Sequence, residues 1–224
     1  MPAPPVRPLC LSFGLALLLA GCSVGRPSAL PAAAPRGGAL TALATPSEPL
    51  AGPLTACRVL AVTHVLARRV DPRAAFLTLV GHHIGSDGQP MDGGTWQAHY
   101  VGTAPTHAAE PGTPRPAVPL FRHVTITAGA SGQVTLEVAE HPGLPLGPAL
   151  FDDPMPRIDS HAAIAHARTM RPTHPLEGGL QLTLGGSMSP AHFQELVWKV
   201  QASVQAGPGR PVVFNASTGL PVER

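Results

Sequence analysis

Cys57 and His64 are the first residues whose types invite chemistry, a thiol nucleophile and an imidazole base in one apolar-periodic segment. Seven residues apart on a helix, they share a side but lie about 10 Å apart along the axis, beyond hydrogen-bond reach. Histidine is frequent, with 11 in the chain, so metal binding has to be weighed against the spacing. His82 and His83 are adjacent, and neither a helix nor a strand points adjacent side chains at one ion. His161 and His166 are five apart in a helical segment and diverge by about 140° around its axis. Neither HExxH nor paired Cys-x-x-Cys occurs, and Asp87 and Asp92 in "SDGQPMDGG" lack the further ligands of an EF-hand. Two serine segments, "GGSMS" at 185–189 and "GASG" at 129–132, both miss the G-x-S-x-G nucleophile elbow. The sequence therefore yields no catalytic, metal or cofactor-binding set, and the expectation is a protein that is not an enzyme and needs no cofactor.

The elements that would position these residues are read from periodicity and punctuation. Residues 54–70 form a helix with Val59, Val62, Leu66 and Val70 on one stripe, flanked by Leu60. Asp71-Pro72 resembles a helix start, so a second short helix is predicted over 72–82, followed by a turn at Gly85–Gly88. "TWQAHYV" (95–101) alternates as a strand, which puts Trp96 and Tyr100 on one face. Residues 102–118 carry four prolines and read as a long exposed loop. "HVTITAG" and "QVTLEVA", separated by Ala-Ser-Gly, read as a hairpin. After a Pro/Gly-rich stretch (142–156), "IDSHAAIAHARTM" opens on a capping residue and is helical, with Ala163, Ile164, Ala167 and Met170 on its buried stripe. Strands at 180–184, 195–203 and 210–217 follow, the last running into a Thr218-Gly219 turn. There Asn215 caps the strand end, and Gly219 permits positive φ. Trp198 belongs to the core.

The two halves read alike. Each has a helix, a strand with a lone Trp (Trp96, Trp198) and a Val-rich strand ending in a glycine turn. "VTITAGASGQV" (124–134) can be laid beside "VVFNASTGLPV" (212–222) with the turn glycine displaced by one. The fold class is therefore α+β, helices packed on antiparallel sheet, with a duplicated unit as one arrangement. Residues 53–141 and 142–224 would be its halves.

Composition sets the surroundings. The net charge is +2, and charged residues are 12% of the chain, about half the usual share. Lysine occurs once, at Lys199, and no basic run is long enough to follow a phosphate backbone, which argues against nucleic acid. Residues 1–21 have the layout of a secretory signal, with Arg7 before an apolar stretch too short to span a bilayer. The run Leu19-Ala20-Gly21-Cys22 resembles the lipobox of bacterial lipoproteins. That resemblance implies a diacylglycerol thioether with palmitate-type acyl chains at Cys22, which becomes the first residue after cleavage. Ser23 after the cysteine implies sorting to the outer membrane. Cys10 then leaves with the signal and only Cys57 stays free, so no disulfide can form within the mature chain. Residues 22–52 are Ala/Pro/Gly-rich and aperiodic, a disordered tether spanning about 30 Å as coil and up to about 90 Å extended.

The second half resembles a PepSY-type domain, in the helix "IDSHAAIAHA", the strand "VWKVQA" and the closing "VVFNASTGLPV". The family's acidic residue before the turn alanine is Asn215 here, and the first half would be a divergent or cystatin-like copy. This resemblance implies a non-catalytic binding or regulatory module in the cell envelope, with a peptide or protein partner and a membrane anchor. The competing expectation is a small-molecule handler, an apolar-ligand carrier or hydrolase, using a cavity between helix and sheet.

Overall fold

A computed structural model describes residues 49–103, 120–142, 149–172, 176, 178–189, 192, 194–202 and 210–222. The signal, Cys22, almost all of the tether and most of the 102–118 loop lie outside these residues. The described part consists of α1 (Ala56–Val70), β1 (Ala75–Ile84), β2 (Pro90–Thr103), β3 (Leu120–Gly129), β4 (Val134–Pro142), α2 (Ser160–Met170), β5 (Leu180–Gly186), β6 (Leu196–Ala202) and β7 (Val212–Asn215). The fold is α+β but dominated by its sheet. Seven strands lie in the order β4-β3-β2-β1-β5-β6-β7, and every neighbouring pair is antiparallel.

The first strand after each helix lies at the centre. There β1 and β5 pair with Leu79 opposite Leu184, and each half meanders outward from that seam. The two expected halves therefore share one sheet. Both helices cover the same face of it. Trp96 is registered with Gly81, Gly81 with Leu182, and Leu182 with Val200, two residues from Trp198. Both indoles thus point to the helix side, where each is fully buried in one continuous core. A buried indole N–H needs an acceptor. Trp96 donates to the Leu54 carbonyl and Trp198 to the Ile158 carbonyl, both at 2.8 Å. Leu54 and Ile158 hold the same place, one residue before the N-cap of their helices. The indole of Trp96 lies across Gly81, where a Cβ would come within 2.5 Å of its ring.

The helix expected over 72–82 is instead β1. Asp71 does not open a helix: it is the C-cap residue of α1, and its carboxylate accepts the Arg73 N–H at 2.9 Å in a tight turn. The run that follows is held as strand by partners on both sides, with Phe76 and Leu79 fully buried. Register shifts after Phe76 and after His82 interrupt its alternation, which conceals the strand period from a sequence reading. On α1 the buried stripe is Ala56, Val59, Leu60, Thr63 and Ala67, while Val62, Leu66 and Val70 are only half-buried. Thr63 is admitted because its hydroxyl meets the Tyr100 hydroxyl at 2.9 Å. The stripe of α2 is Ser160, Ala163, Ile164 and Ala167, with Met170 partly buried at its edge.

Candidate functional site

The sheet has one covered face and one open face. Alternate residues of the strands, among them Thr95, Gln97, His99, Thr125, Thr127, Thr183, Lys199 and Asn215, point away from the helices. Among the described residues no helix packs on that side.

The two lateral edges differ. At one, β7 is closed by the chain's own return. Asn215 N–H donates to the Leu220 carbonyl at 2.9 Å, Val222 N–H donates to the Val213 carbonyl at 3.2 Å, and Phe214 bridges Pro221. The Asn215 side chain fixes this turn by accepting the Ser217 and Thr218 N–H groups at 2.8 and 2.9 Å, and Gly219 adopts φ 74°. At the other edge, β4 runs for nine residues and has no outer partner among the described residues. Gly129 N–H bonds the Gln133 carbonyl at 3.0 Å, and the alternation from that pair turns the N–H and C=O groups of Leu136, Val138 and Glu140 outward. Thr135, Glu137 and Ala139 are exposed along it. Such a row of unpaired backbone groups is a template for an added strand.

The strand's position is fixed at both ends. Leu50 N–H donates to the Gly132 carbonyl at 2.9 Å, so the end of the tether sits against the β3–β4 turn. Arg122, on the helix side of β3, pairs with Glu140 at 3.6 Å and donates to the Val70 carbonyl at the end of α1.

A second polar cluster lies where the two helices begin. Thr55, the N-cap of α1, makes no side-chain cap bond. Its place is taken from α2: Asp159 accepts the Cys57 N–H at 3.0 Å and the Ser160 N–H at 2.7 Å. The Ser160 hydroxyl accepts the Ala56 N–H at 3.1 Å and donates to the Gly88 carbonyl at 2.8 Å. Burial pushes the Asp159 carboxyl up, but hydrogen bonds from the Cys57 N–H, the Thr55 hydroxyl, the Ser160 N–H and the Cys57 thiol outweigh it and hold the group below its usual value. Cys57 moves the other way. Burial, the Asp159 charge and the hydrogen bond to Asp159 push its thiol up to about 12, so it is protonated at neutral pH and a poor nucleophile.

The remaining sequence candidates are dispersed. His64 lies beside the Tyr100 ring, and its Nδ1 is buried without a partner. His82 and His83 are both exposed at an irregularity of β1, where His83 takes φ 56°. His161 is exposed, whereas His166 donates from Nε2 to the Gly219 carbonyl at 2.7 Å and packs edge-on against Phe214. Asp87 accepts from Gln89 within the β1–β2 turn. Ser187 accepts the Ser189 N–H at 3.1 Å, and Ser131 lies in the β3–β4 turn. Cys22 lies outside the described residues, and no described helix is long and apolar enough to cross a membrane.

Sequence reasoning missed the junction at Asp159 because its partners are 102 and 104 residues apart in the chain. The open β4 edge was within reach, since it follows from the hairpin once the strand order is known. Among the described residues, fold and edge together define an α+β protein with a two-helix, one-faced antiparallel sheet, closed at β7 and open at β4. No family model, curated protein or solved structure matches the chain.

Proposed function

We propose that this chain is a lipid-anchored protein of the cell envelope, held at the outer membrane through Cys22, that binds a peptide or protein partner without catalysing a reaction. The partner adds as an extended strand along β4. The outer edge of β4, unpaired among the described residues, carries this reading, because a nine-residue strand with outward N–H and C=O groups is what strand addition requires. Two further features support it. The half-to-half likeness of the helix starts and their tryptophans fits a pair of PepSY-like units, and the raised Cys57 thiol offers no nucleophile. Exposed Glu137 favours a partner strand with a basic side chain opposite it.

The test is crosslinking in intact cells, comparing Val138→Pro with Val138→Ala. Proline removes one outward N–H and places its ring on the edge while sparing the β3 ladder, so partner yield should fall at least about tenfold, with Val138→Ala close to wild type. Equal yields from both variants would contradict strand addition. In the same cells Cys22→Ala should lose metabolic lipid labelling and membrane fractionation. Retained labelling would overturn the anchor.

A further inference from the structure

The β3–β4 hairpin carries one histidine on each strand, on the open face. His123 is registered with Ala139, which makes His141, two residues further along, its diagonal neighbour. The ring centroids are 5.2 Å apart and the planes meet at 86°. Zinc–imidazole bonds are about 2.1 Å and a ring nitrogen lies about 1.1 Å from its own centroid, so two imidazoles on one tetrahedral ion hold their centroids about 5 Å apart. The register places the two side chains as diagonal neighbours, and their ring spacing matches that of a chelate. The perpendicular rings still have to turn their nitrogens to a common point, and His141 is exposed and free to make that rotation.

The neighbourhood favours a cation. On the other diagonal of His123 lies His99, which is registered with Thr125 and whose Nδ1 is held by the Thr125 hydroxyl at 3.2 Å. Glu137, also opposite Thr125, puts a carboxylate on the same face. Arg122 points to the helix side, and Lys199 sits on β6, four strands from β3. Among the described residues no three His, Cys, Asp or Glu side chains converge, so an ion held here would need water to complete its coordination.

We propose that His123 and His141 form a two-imidazole site for a borderline transition-metal dication on the open sheet face, taking Cu2+ most tightly and Zn2+ or Ni2+ less so. The order follows the preference of nitrogen ligands along the first transition row, and Mg2+ and Ca2+ are not bound because they require oxygen donors. The site stands on the register of one hairpin and does not depend on strand addition at β4.

The experiment titrates the purified full chain with CuCl2 by calorimetry, with electron paramagnetic resonance of the bound ion. Wild type, His123→Ala, His141→Gln and His161→Ala are compared. The site requires one saturable Cu2+ with nitrogen hyperfine structure, affinity lowered at least about tenfold by the changes at positions 123 and 141, and no loss in His161→Ala. His141 is exposed, so His141→Gln carries the test even if His123→Ala unfolds. Equal binding by His141→Gln and wild type would overturn the site. So would an equal loss in His161→Ala, which would assign the copper to scattered surface histidines.

Discussion

The two outer hairpins of the sheet start from the same chemistry and end differently. Each turns through a glycine with positive φ, Gly132 at 80° and Gly219 at 74°, and in each the glycine N–H returns to the last residue before the turn, Gly129 or Asn215. After Gly132 the chain grows a nine-residue strand. After Gly219 it makes a single bridge at Pro221, a residue with no N–H to extend a ladder. One edge is therefore finished locally, and the other has no outer partner among the described residues. Trp96 and Trp198 are buried alike and each donates to the carbonyl before a helix N-cap, whereas the two edges differ in backbone exposure among the described residues. The contrast separates what holds the fold from what strand addition would use.

The largest effects should come from the symmetric part. Trp96→Ala and Trp198→Ala should each cost about 3–5 kcal/mol in denaturant unfolding, since each deletes a fully buried indole and orphans a carbonyl before a helix. A large effect at only one of them would break the likeness between the halves. Asp159→Ala should cost about 1–2 kcal/mol, because one carboxylate serves the starts of both helices. Its pH signature has a fixed sign. The folded-state value is depressed, so the contribution is complete above the ordinary value of 3.8 and is lost as pH falls through that value and the lower folded one. Acid unfolding should therefore begin later in Asp159→Ala relative to its own neutral stability. A wild-type profile in the variant would remove the carboxylate from the account.

A smaller pair of changes compares the hairpins directly. Alanine at either turn glycine meets the cost of a left-handed residue, about 1–2 kcal/mol. At Gly132 the new Cβ would also come within 2.6 Å of the Leu50 carbonyl oxygen, while at Gly219 it meets the His166 ring at 3.2 Å and the Ile158 side chain at 3.5 Å. Gly132→Ala should lower the thermal midpoint more than Gly219→Ala. The reverse order would contradict the contact between the tether end and the β4 hairpin.

Much of this frame was legible in the sequence, and the losses have particular causes. The β3–β4 hairpin, α2 with Asp159 as its cap, the last three strands and the Asn215–Gly219 turn follow from local punctuation. The strand β1 was hidden because Asp71-Pro72 carries helix-start chemistry, while two register shifts break the alternation that would have countered it. The capping of α1 was invisible because Asp159 and Ser160 supply it across the fold in place of Thr55. The pairing of His123 with His141 stood between these cases. The hairpin contained it, but two histidines on different strands become neighbours only through the diagonal of the hairpin register, which no local spacing reveals.

The open edge itself is tested most directly by residue-resolved amide hydrogen exchange on the purified chain without partner. The Leu136 and Val138 N–H groups, turned outward on β4, should exchange rapidly. The Val124 N–H within the sheet and the Asn215 N–H, bonded to Leu220, should be protected. Protection of Leu136 and Val138 equal to that of Asn215 would mean that the chain already covers its own edge, and strand addition at β4 would fall with it.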